Sequence, residues 1–118
     1  VSKGMAGKGE ETMKRLTKDL TRKLQAQYPQ GSDMGQKVVA KFFDPTGSWT
    51  WYAMNQDPND PSYLWGIVKG FEVETGSFSL TELQTFRGRF GLGIERDLHF
   101  APRPAQEVWD ALNRGEHV

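Results

Sequence analysis

Three polar residues, Glu95, Asp97 and His99, are spaced two apart. In a β-strand that spacing puts all three side chains on one face, where two carboxylates beside an imidazole could bind a divalent metal or run acid–base chemistry. Further ligands are scarce, because the only other histidine is His117 and there is no cysteine. The same spacing also describes a solvated strand face on which Glu95 or Asp97 pairs with Arg96, Arg89 or a neighbouring strand. The residues leave both readings open.

Other constellations carry weaker chemistry. The glycines of Arg87-Gly88-Arg89-Phe90-Gly91-Leu92-Gly93 would let backbone amides approach an anion, with two arginines for charge. Their order is wrong for a nucleotide fingerprint, which runs from a strand through glycines into a helix, so they read as a helix stop and a tight reversal. Trp49, Trp51, Tyr52 and Trp65 are flanked by Thr, Ser, Asn and acids rather than by Lys or Arg, a poor setting for stacking nucleic-acid bases. They suit a core or, where uncovered, a protein interface, with Trp51 and Tyr52 as candidate contacts. No Ser-His-Asp order, His-Glu-x-x-His or Walker sequence occurs, so the reading favours a non-catalytic protein and assigns no catalytic residue, metal ligand or cofactor.

These residues must be positioned by elements that the pattern of apolar residues predicts. Met13, Leu16, Leu20, Leu24 and Tyr28 form one stripe of an amphipathic helix ending near Gln27, before Pro29. Its outer face carries Lys14, Arg15, Lys18, Arg22 and Lys23, with Asp19 spaced to pair with Arg15 or Lys23. Lys14, Lys18, Arg22 and Lys23 are therefore candidate nucleic-acid contacts, or else a solvated face. A strand over 37–43, a turn at Asp44-Pro45-Thr46-Gly47 and a strand over 48–54 predict a hairpin. In its second strand Trp49, Trp51 and Ala53 point one way and Thr50, Tyr52 and Met54 the other, so large rings occupy both faces of the sheet.

A polar loop over 55–62 and strands over 63–69 and 71–74 would complete an antiparallel meander. Ser79-Leu80-Thr81-Glu82 matches a capping box, with Phe78 and Leu83 as its staple, opening a short helix to about Arg87. A strand over 94–100 would place Ile94, Leu98 and Phe100 on one face. A last helix carries Ala105, Val108, Trp109 and Leu112 and stops near Gly115. The expectation is a single α+β domain over 13–115 behind a flexible tail over 1–12, with Met5 in the tail and Met13 at the head of the domain as alternative starts. Its antiparallel sheet has four or five strands, with an N-terminal amphipathic helix, a short middle helix and a C-terminal helix.

Composition limits the function classes. The 118 residues hold 15 basic and 15 acidic side chains. Residues 1–42 carry nine Lys or Arg against four acids, whereas 43–118 carry six against eleven, a basic arm before an acidic body. Such a body repels polyanions, which argues against indiscriminate nucleic-acid binding. Mean hydropathy is −0.65 and no apolar run approaches the roughly 18 residues of a membrane span. The absence of cysteine fits a reducing cytoplasm, and no secretory apolar run opens the sequence.

Several blocks together resemble a known family. Met13 to Leu20, Val39 to Gly47, Trp51-Tyr52-Ala53, Trp65-Gly66, Gly76 to Leu83 and Ile94 to Phe100 are similar, in order, to the bacterial domain-of-unknown-function family numbered 2958. The resemblance implies a small standalone domain, often encoded on plasmids, phages and other mobile elements, and supplies no activity. It marks Trp51, Tyr52, Glu95, Arg96, Asp97 and His99 as a candidate partner-binding or polar site. The resulting expectation is a cytoplasmic, non-catalytic protein of a mobile element that binds a protein partner, as an inhibitor of a host defence system of anti-CRISPR or anti-restriction type. Nucleic-acid binding through the basic helix and a metal-dependent enzyme at Glu95, Asp97 and His99 stand as alternatives.

Overall fold

The computed structural model describes residues 16–118. Helix α1 (Lys18–Ala26) begins where the Thr17 hydroxyl accepts a hydrogen bond from the Leu20 amide, satisfying a donor that the first turn leaves orphaned. Leu16, Leu20 and Leu24 keep the predicted stripe, and Leu24 is fully buried. Tyr28 leaves that stripe. It opens a short 3-10 turn (Tyr28–Gln30), stands edge-on to Tyr63 at 6.4 Å, and its hydroxyl donates to Asp57. The predicted helical turn at Met13 and the 1–12 tail lie outside the described residues.

The expected strand over 37–43 splits at Val39 into β1 (Lys37–Val38) and β2 (Ala40–Phe43), because its two parts take different partners. β2 pairs with β3 (Thr50–Asp57), β3 with β4 (Asp60–Lys69) and β4 with β5 (Val73–Ser79), all antiparallel. The two-residue β6 (Glu95–Arg96) adds to the other side of β2, giving the order β5-β4-β3-β2-β6. β1 instead pairs with β7 (Arg103–Pro104) in a separate two-stranded ribbon leading into the C-terminal helix. Helix α2 (Leu80–Thr85) starts at Ser79, whose hydroxyl accepts from the Glu82 amide at 3.1 Å as the capping box requires. Helix α3 (Ala105–Asn113) stops at Arg114, followed by Gly115 at φ +80°, the left-handed position that favours glycine.

Alternation along β3 holds, and both faces of the sheet are covered. Ala53 and Trp51 pack with Phe42, Leu64 and Ile94 beneath α1 and α2, which contribute Leu24, Leu80 and Leu83. Tyr52 and Met54 pack with Ile67 beneath α3, which contributes Ala105, Val108 and Leu112. Each fully buried leucine or isoleucine here contributes about 1.5–3 kcal/mol by leaving water. The result is the predicted α+β class with its sheet between two helical layers.

Three expectations are corrected. Residues 55–62 are not a loop: β3 runs to Asp57 and β4 starts at Asp60, and Asn55 and Gln56 are buried because other amides meet them. The Asn55 amide nitrogen donates to the Gly31 carbonyl and the Gln36 side chain, while Gln56 accepts from Gln25 and donates to the Pro61 carbonyl. The strand over 71–74 begins at Val73 and runs to Ser79, which leaves Phe71 at the turn and 95% exposed. The strand over 94–100 ends at Arg96, because the Asp97 carboxylate accepts from the His99 amide and turns the chain; Leu98 is consequently exposed.

Candidate functional site

That turn decides the first constellation. Register sets Glu95 opposite Phe43 and Arg96 opposite Phe42. The Asp97 amide still donates to the Lys41 carbonyl, but His99 has left the ladder and is exposed. Glu95, Asp97 and His99 therefore do not share a strand face, and among the described residues no three His, Asp or Glu side chains are grouped to hold a metal ion. Arg96 is half-buried, and its Nε has no hydrogen-bond partner among the described residues.

Asp97 instead joins a different cluster. A cleft of about 510 Å³ between β2, β3 and the segment after α3 is lined by Lys41, Tyr52, Lys69, Asp97, His117 and Val118. Lys41 and Tyr52 lie opposite each other in register. The Lys41 Nζ donates to the Val118 main-chain oxygen at 2.6 Å and sits 3.7 Å from the Asp97 carboxylate and 5.7 Å from the centre of the Tyr52 ring. The Tyr52 hydroxyl donates to the same Val118 oxygen at 3.2 Å. Burial pushes this phenol up to about 12, with Asp97 adding to the rise and Arg103 opposing it. Tyr52 is thus a neutral donor at physiological pH rather than a base, and the cleft grips the protein's own chain.

A second concavity lies on the other side of the sheet and meets the first at the 44–49 turn, where Asp44 and Trp49 line both. Trp49, Trp51, Phe78 and Phe86 line a groove of about 340 Å³ with Leu83 and Ile94 behind them. Its polar boundary is formed by Asp44, Ser79 and Glu82. The 44–47 turn holds the first of these: Asp44 Oδ1 accepts from both the amide and the hydroxyl of Thr46, leaving Oδ2 without a salt bridge among the described residues. The cap at Ser79 fixes α2 and so aims Glu82. Trp49 is held from three sides. It is tilted on Trp51 at 6.1 Å, edge-on to Phe71 at 5.6 Å, and lies where a Cβ on Gly70 would be.

Apolar exposure concentrates around this groove. Trp49, Phe71 and Phe86 are exposed, and the loop that follows α2 carries exposed Phe90 and Leu92. The Phe86 ring and Thr46 both border the space above Gly88, which sets that loop beside the 44–47 turn. Phe90 is 86% exposed and has φ +61°, a left-handed backbone that a bulky side chain adopts only when its surroundings impose it.

The basic helix face is less free than its charge count suggests. Asp19 bonds both Arg22 and Lys23, and its carboxyl is held below the usual range, chiefly by the Lys23 hydrogen bond. Lys18 and Arg22 border a shallow depression on α1 with Thr21 and Gln25; Lys14 lies outside the described residues. Trp51, then, belongs to the groove and Tyr52 and Asp97 to the cleft on the other side of the sheet. Asp44 and Glu82 were legible in the sequence only as turn and cap residues, and Lys41 and Phe86 gave no signal of a site, because only the strand pairing and the α2 cap bring the four to these concavities.

Among the described residues no helix is long and apolar enough to cross a membrane. Residues 12–116 match the family model described as protein of unknown function (DUF2958). No curated protein and no solved structure matches the chain. The chain belongs to this DUF2958 family.

Proposed function

We propose that this family member is a non-catalytic binding protein whose contact surface is the aromatic end of the molecule, where the 44–49 turn, α2 and the 86–92 loop meet. The single observation that carries this reading is the groove of Trp49, Trp51, Phe78 and Phe86, with the exposed Phe71 edge-on to Trp49 at its side. Large rings left in water are costly, and tryptophan and phenylalanine with a charged rim are the composition of interface centres. Inhibition of a host defence complex is the form of contact that the resemblance to mobile-element proteins favours, and it rests on that resemblance alone.

The test is affinity capture from bacterial lysate with the native chain and with Trp51→Ala and Phe86→Ser variants shown to be folded. The expected result is a stoichiometric protein retained by the native chain and lost by both variants. Retention of nothing, or equal retention by the variants, overturns the reading.

A further inference from the structure

We infer that the aromatic groove takes a lysine or arginine side chain of a protein partner. This inference rests on the binding reading above and names the chemistry of its anchor. Four aromatic side chains, Trp49, Trp51, Phe78 and Phe86, form the walls, and aromatic faces attract organic cations through their quadrupoles. Two carboxylates, Asp44 and Glu82, line the groove with no Lys, Arg or His beside them; Asp44 also lines the cleft that holds Lys41, Lys69 and His117, so Glu82 is the acid that belongs to the groove alone. Neither acid forms a salt bridge among the described residues.

The geometry also says why a long cationic side chain fits better than a compact one. Leu83 and Ile94 are buried behind the rings and give the groove an apolar floor, suited to an alkyl stem. Both charges lie on polar elements at the boundary, Asp44 in the turn after β2 and Glu82 in the first turn of α2. A neutral apolar anchor would fill the floor and leave the carboxylates unanswered. An anion would be repelled by both.

Butylammonium and butylguanidinium serve as side-chain probes, with 1-butanol as the neutral match and tetramethylammonium as the compact cation. Binding is read from the indole N–H resonances of Trp49 and Trp51 in the full chain, assigned with Trp→Phe variants. The expected result is saturable shifts with the butyl cations, at least tenfold weaker binding of butanol, and a further tenfold loss in the Asp44→Asn, Glu82→Gln double variant. The Asp44→Asn change keeps an oxygen acceptor for Thr46, so the turn survives it. High salt should weaken the cations and not the alcohol.

Equal binding of butanol overturns the inference, as does an absence of any shift. Binding of tetramethylammonium alone would assign the groove to a small ligand, and resonances that move with protein concentration without probe would assign it to a second copy. Each of these also overturns it. The binding reading itself stands or falls separately, on whether the captured protein depends on Trp51 and Phe86.

Discussion

Gly66 on β4 lies so close to the Tyr52 carbonyl on β3 that a Cβ at residue 66 would stand 1.8 Å from that oxygen. The approach occurs beside the register slip between Ala53 and Asn55, so the close pairing of β3 and β4 at this irregularity depends on a bare α-carbon at residue 66. Gly76, its partner on β5, has open space around the same position. Gly66→Ala should therefore destabilise the fold by about 3 kcal/mol or more. Gly76→Ala should be neutral or stabilise by about 0.5 kcal/mol, since alanine loses less backbone entropy. Chemical denaturation of the two variants side by side checks the contrast.

The Tyr52 phenol gives a pH signature. Its pKa is raised in the folded state, from 10.0 to about 12, so the stabilisation from holding it neutral is complete below pH 10 and is lost as pH rises through 12. A rise of that size corresponds to about 3 kcal/mol. Tyr52→Phe should unfold less steeply than the native chain over this range, while at neutral pH it should cost only about 1 kcal/mol for the hydrogen bond to Val118. Denaturant midpoints of both proteins from pH 7 to 12 provide the measurement; parallel curves would refute the assignment.

The buried amides make a third prediction. Asn55 donates to Gln36 and Gly31, and Gln36 itself donates to the Gly31 and Asp33 carbonyls. Asn55→Ala strands a buried acceptor and should cost about 1–3 kcal/mol. Gln36→Ala should cost a similar amount, and the double variant should lose less than the two together by about 1 kcal/mol. Additive losses in a double-mutant cycle would show that the network does not act as a unit.

A fourth prediction separates protein contact from nucleic-acid binding. Neutralising Lys18, Arg22 and Lys23 to Gln should leave capture of a protein partner unchanged, because these residues and the groove are on separate elements. It should leave stability close to that of the native chain, since the Asp19 pairs it removes are exposed. Affinity for duplex or single-stranded DNA that falls steeply with salt in the native chain and disappears in this variant would favour the basic helix as the functional surface.

Local signals were legible in the sequence and distant ones were not. The Ser79 cap, the 44–47 turn and the α1 stripe depend on residues within one or two turns of each other. The opposed faces of Trp51 and Tyr52 follow from strand geometry alone. Residues 55–62 misled because two prolines and four Asn or Asp residues have the composition of a loop. Pro58 in fact occupies the hairpin turn, and Pro61 sits where the pairing is irregular and only its carbonyl is used. His99 misled because one side-chain bond from Asp97 ended the alternation. The Lys41 and Tyr52 contacts to Val118 span 77 and 66 residues, and no local pattern encodes them.

Sandwiching the β-sheet between helices on both sides has a consequence for where the sequence is free to vary. The faces are committed to holding the architecture together, so variation is tolerated mainly at the perimeter, in the 44–49 turn and the 86–92 segment. Substitutions in those short tips should therefore leave the fold intact, while changes to the inward-facing side chains should not.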